Sequence, residues 1–223
     1  MRSRALYAAC LVLFPVLFIV FAGTATGVHP DPSGETAVDQ VRAVASSAGA
    51  WRLVHLVLAG ASLLGIGAVL ALRSLVPRRG RLDAAASVVM ALGVVGGGMT
   101  AGILAMEAGL VAPVAEACAG SGACLSPSNE PFLGEFADAS WNSIPYLGYT
   151  AGSLVFSLAV LAVLGWRARS VRAWEAAVVV VGVVGIYTTN TILHGDAWYG
   201  LAFVLVAGAS IATRMLRAGG ASA

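Results

Sequence analysis

Glu107 directly follows the apolar run GILAM, and His55 follows Trp51 by four residues inside a second apolar stretch. A third apolar stretch ends on His194-Gly195-Asp196. Ionisable groups placed at the edge of hydrocarbon are either structural punctuation or the seat of chemistry. Burial in a low-dielectric medium disfavours the ionised carboxylate, which leaves an acid able to donate a proton near neutral pH. Aromatic faces stabilise cations. The chemistry to expect is therefore proton donation, with Glu107 as general acid and His55, His194 and Asp196 tuning or replenishing its proton. Trp141, Tyr146, Tyr149, Tyr187, Asn190 and Trp198 would line the substrate pocket.

Each of these residues also has a structural reading. Asp196 could cap the last helix, where a carboxylate suits exposed N–H groups. His194 with Gly195 behind it makes a reasonable helix end, and His55 could bond across helices. Trp51 and Trp198 suit an interfacial aromatic belt, and Glu107 could sit at the water boundary.

Helical spacing groups the polar residues into stripes. Tyr187, Asn190, Thr191 and His194 fall at i, i+3, i+4 and i+7, one face of a helix. Tyr146, Tyr149, Thr150 and Ser153 form a second face, Thr100 and Glu107 a third, and Trp51 and His55 a fourth. A polar face in hydrocarbon is costly, so the stripes should turn toward one another or toward a wet cavity.

The elements that must position them are transmembrane helices. Of 223 residues, 59% are hydrophobic and 11% charged, with mean hydropathy +0.87. Runs of roughly 20 apolar residues suffice to cross a bilayer, and they fall at about 5–27, 51–72, 84–106, 144–166, 174–194 and 197–213. The expected fold is an all-α integral membrane bundle of about six spans, one domain over 1–223, with loops 28–50 and 107–143 on the outer side. Residues from Ser33 onward suggest a short surface helix. SNEPFLGEFADASWN suggests another, capped by Asn129, with Pro131 in its first turn and Phe132 and Phe136 on one face.

All thirteen basic residues are arginine, and eleven of them fall on one side of this scheme. The positive-inside rule makes that side cytoplasmic, both termini included, as expected of a multi-pass protein of a bacterial inner membrane. The net charge of +2 then records topology and gives no reason to expect nucleic acid. Cys118 and Cys124 lie in the second outer loop, where an oxidising compartment favours a local disulfide contributing ~2–3 kcal/mol. A metal or redox pair is the alternative, although the spacing is not CxxC. Gly98/Gly102, Gly148/Gly152 and Gly182/Gly185 offer close helix approach.

Several chemistries lack their motifs. There is no aspartate-rich DDxxD sequence to hold magnesium and diphosphate, no Walker A and no HExxH, and no G-x-S-x-G elbow. His55, His194 and Glu107 could in principle supply three zinc ligands, with no local motif behind them. In size, all-span layout, intramembrane acids and the missing aspartate-rich motif, the chain resembles the small integral-membrane terpene cyclases of fungal meroterpenoid and bacterial indole-sesquiterpene pathways. Six spans rather than seven is a departure. The resemblance implies metal-free, cofactor-free, proton-initiated cyclisation of a prenylated substrate taken from the bilayer, with Glu107, then Asp196 or Asp138, matching the family's acids. The competing class is non-enzymatic: a transporter accessory subunit, a resistance or immunity protein, or a small-molecule binder.

Overall fold

The computed structural model describes residues 2–22, 36–138, 145–192 and 200–220. Its elements are α1 (Arg2–Ala22), α2 (Ala37–Ser46), α3 (Ala48–Ser74), α4 (Gly80–Met106), a π-helical turn (Glu107–Val111), α5 (Ala112–Gly120), α6 (Glu130–Ala137), α7 (Pro145–Arg167), α8 (Ala173–Ile192) and α9 (Gly200–Gly220). Five stretches are long and apolar enough to cross a membrane: Ser3–Ala22, Ala48–Ser74, Gly80–Gly120, Tyr149–Arg167 and Gly200–Ala218. Ala173–Thr188 is apolar but shorter.

Helices α1, α3, α7, α8 and α9 pack as a closed ring, and α4 lies outside it in the groove between α3 and α7. Every ring helix contributes to the centre: Leu11 and Phe14 from α1, Leu72 from α3, Leu158 from α7, Val179 from α8 and Ile211 from α9. Those side chains leave a cavity of only about 10 Å³, too small for more than a single water. Among the described residues of the expected polar stripes, His55 and Glu107 meet between α3 and the π-helical turn, Tyr187 lies at the α7–α8 seam and Tyr149 is exposed.

Missing side chains let the helices approach. A Cβ on Gly96 of α4 would lie 2.6 Å from the Thr150 carbonyl oxygen on α7, and one on Gly93 would lie 2.8 Å from the Ser157 Cβ. Gly98 and Gly102, expected to serve this role, have open space where a Cβ would stand. The apolar run of α4 offers small residues on two faces, and the glycine-rich GVVGGG segment supplies the packed one. Gly182 does meet α9, close to the Gly200 oxygen, whereas Gly185 has open space. At Gly208 a Cβ would fall 2.6 Å from the Leu11 oxygen. That is the carbonyl which Pro15, lacking an N–H, leaves without its helical donor.

At the arginine-rich end, Glu175 is fully buried and its lone pairs are well occupied. It accepts from the Arg172 N–H at 2.8 Å, from Ser210 Oγ at 2.7 Å, and from two nitrogens of Arg214. Arg73 bridges to Asp83 across the α3–α4 turn.

The third span departs from the expected boundary. A loop was expected from residue 107, but the helix continues to Gly120. Forty-one residues of helix reach roughly 60 Å, about twice the hydrocarbon thickness of ~30 Å. The segment EAGLVAPVAEACAG is rich in alanine, the best helix former. Its one breaker, Pro113, cannot donate to Gly109 four residues back, and the wider π turn lies across that position. Beyond the turn, α5 packs with α2 and α6 around a second core of Val41, Val44, Trp51, Val111, Ala115 and Leu133.

The two expected surface helices are α2 and α6. Thr36 caps α2, accepting from the Asp39 N–H. The buried face of α6 is Leu133 and Ala137, while Phe132 is 67% exposed. Asn129 precedes α6 without a capping bond and turns back to donate to the carbonyls of Ala123 and Cys124. Cys118 and Cys124 form the disulfide, their Cα atoms 5.2 Å apart.

The glycine contacts make a sharp test. Gly96→Ala should lower stability by about 1–3 kcal/mol through overpacking, whereas Gly98→Ala should be near neutral. Thermal melts of the two variants in the same detergent distinguish them, and equal melts would remove the assigned register.

Candidate functional site

Where α3 meets the start of the π turn, two of the expected acid–base residues come together. His55 Nε2 lies 2.8 Å from Glu107 Oε2, with the side chains 5% and 13% exposed. A helix period explains the histidine: Trp51 and His55 are one turn apart, so His55 Nδ1 reaches the Trp51 carbonyl at 2.9 Å. The same spacing stacks the rings, with centroids 4.4 Å apart and planes at 24°. Trp51 is itself buried in the second core, so the imidazole rests on a wall that packing fixes.

This geometry restricts the protons. A carbonyl oxygen only accepts, so Nδ1 carries a hydrogen. One further proton must then lie between Nε2 and Oε2. Either Glu107 is the acid donating to a neutral imidazole, or an imidazolium donates to the carboxylate. Both forms are neutral overall, and one proton moves between two groups that the fold holds at hydrogen-bond distance.

The π turn aids this placement. It begins at Glu107, and such turns commonly mark functional sites because they change the direction of side chains within a helix. Below Glu107, the α4 face toward α7 carries Thr100, whose hydroxyl donates to the Gly96 carbonyl at 2.8 Å. Above it, Arg52 bridges to Glu116 between α3 and α5. Leu53, Leu56, Met106 and Leu110 are all more than half exposed on the outer faces of the same two helices. The pair therefore lies at the perimeter of the bundle, beside an exposed apolar surface.

The remaining expected residues distribute differently. Tyr187 lies at the α7–α8 seam, its hydroxyl against Gly152. Tyr149 is 76% exposed and faces away from the packed seams. Tyr146 and Asn190 fall in α7 and α8, but their side chains lie outside the described residues, as do Trp141, His194, Asp196 and Trp198 altogether. Among the described residues, no cluster of three His, Cys, Asp or Glu side chains suits a metal ion. No protein family, curated protein or solved structure matches this chain.

Sequence reasoning coupled His55 to Glu107 by role, without the geometry that joins them. The Trp51 carbonyl as the partner of Nδ1 was missed, although the spacing of four was there to signal it. The buried Glu175 cluster was missed as well; its signal is an acid in the first turn of an otherwise apolar helix, three residues after Arg172.

Glu107→Gln should keep the fold, because the amide can still donate to Nε2. Glu107→Leu should destabilise by roughly 1–3 kcal/mol, the usual range for removing one partner of a buried polar group. Infrared difference spectra of wild type against Glu107→Gln report the proton directly. A protonated carboxyl stretch means the acid form, and a carboxylate band means the ion pair.

Proposed function

We propose that the chain is a six-span inner-membrane enzyme with both termini cytoplasmic. In this reading the His55–Glu107 pair donates a proton to an apolar isoprenoid substrate taken from the bilayer. The arginine asymmetry supports the topology, and α8 supplies the sixth span. The observation that carries the chemistry is the 2.8 Å contact between Nε2 and Oε2 at the bundle perimeter.

The step balances as an isomerisation. Glu107 protonates an alkene, or the oxygen of an epoxide, and a carbocation forms. A neighbouring double bond attacks it to close a ring. A proton then leaves the new cation, returning to the carboxylate or to His55, and the product has the mass of the substrate. Trp51, buried and stacked on His55, holds the imidazole in place, and aromatic faces turned toward the substrate would stabilise the cation. His55 positions the carboxyl and can carry the returning proton to it.

A second reading is favoured by the filled ring centre and by the bonds that both ring nitrogens of His55 already make. Here the pair ties α3 to α4, and the protein is a non-enzymatic accessory subunit or small-molecule binder.

Membranes bearing wild type or Glu107→Gln, incubated with farnesylated indoles, quinones and their epoxides, separate the two. Chromatography with mass detection should show a new retention time at unchanged mass. Loss of a general acid should reduce that peak by roughly 10²–10⁴-fold while the variant still folds. A peak of equal size from both proteins would remove Glu107 from the chemistry, and no peak from either would favour the accessory reading.

A further inference from the structure

The arginine-rich end carries a feature that the acid–base reading leaves unused. Arg78, Arg79 and Arg81 lie on the α3–α4 turn and its edge, and Arg167, Arg169 and Arg172 lie on the α7–α8 turn; all six are exposed. Ser170 Oγ donates to the Leu75 carbonyl at 2.6 Å, across the two turns. Arg214 reaches the Ser170 carbonyl at 3.1 Å and draws in α9. The two arginine triplets are thus held side by side.

The acids at this end do not neutralise them. Asp83 and Glu175 are engaged by Arg73 and Arg214, and none of the six exposed guanidinium groups has an ion-pair partner among the described residues. Trp166 and Trp174 flank the cluster, each nearly half exposed. Arg169 adds an independent observation. It closes α7 at φ 61°, the left-handed position where glycine is favoured. The Ser170 and Val171 N–H groups and the Ser170 hydroxyl all reach the Gly165 carbonyl there, and none of these bonds uses the Arg169 side chain. The sequence places an arginine at a backbone position that glycine would suit better.

We propose that these two turns form a docking surface for anionic phospholipid headgroups. Guanidinium forks match paired phosphate oxygens, and tryptophan seats at headgroup depth. The surface also adjoins exposed apolar side chains: Val88 lies seven residues beyond Arg81, about two helical turns along α4. An acidic protein or a nucleic acid would meet the arginines but gain nothing from that apolar rim.

The test uses the full chain reconstituted in vesicles of mixed phosphatidylglycerol and phosphatidylcholine, with brominated chains on one lipid or the other. Tryptophan emission should be quenched more by brominated phosphatidylglycerol at equal mole fraction. An arginine near an anionic surface is worth roughly fivefold. Arg78→Gln/Arg79→Gln/Arg81→Gln should therefore lower the preference by roughly 10²-fold. Arg169→Gly should lower it about fivefold while melting no lower than wild type, since glycine suits that backbone. Equal quenching by both lipids in wild type overturns the proposal, as does a preference unchanged by the triple substitution. Displacement of brominated lipid by a polyglutamate peptide also overturns it and assigns the surface to an acidic protein.

Discussion

Hydrocarbon offers no partner to a polar group, so each buried charge near this bundle's core must be answered by the protein itself. Three acids show how that constraint orders the structure. Glu175 accepts from a backbone N–H, a serine and an arginine. Asp83 meets Arg73 across a turn, and Glu107 meets His55 between two helices. The first two are paired with permanent cations and sit at the end where the chain turns. The third is paired with a side chain that exchanges a proton, which is why chemistry is sought there.

The hydroxyl-bearing residues obey the same constraint locally. Ser62, Thr100, Ser153 and Ser157 each bond the carbonyl four residues back on their own helix. None of these bonds commits the hydroxyl to a second helix. Close approach at Gly93 and Gly96 brings α4 against α7.

Much of the fold was legible because long apolar runs and arginine-bearing turns have few interpretations. Among the described residues, five helical stretches are long and apolar enough to cross a membrane, in keeping with an all-α membrane bundle. The third outruns its expected end because Glu107 reads as a boundary by charge, whereas its neighbours are good helix formers and a buried histidine satisfies it. The packed glycines could not be chosen from spacing, since Gly96 and Gly98 both sit in small-residue patterns and only tertiary neighbours separate them. At the site, His55 and Glu107 were legible as types but their contact was not. It depends on the angle between α3 and α4 and on the π turn, neither of which follows from periodicity. Phe132 shows the opposite failure: its apolar character suggested burial, but the α6 face that packs is set by Leu133 and Ala137.

The second core joins segments that are distant along the chain. Val41 and Val44 on α2 are covered by residues of α5 and α6, some seventy or more positions later in the sequence. With the arginine end cytoplasmic, as proposed, α2 emerges across the membrane well before its partners do. It must wait there with its apolar face uncovered until α4 has been inserted and the following segment has crossed. Trp51, and with it the wall behind His55, gains its full packing only then. Completion of the pair's surroundings, in this topology, follows the crossing of α5 and α6.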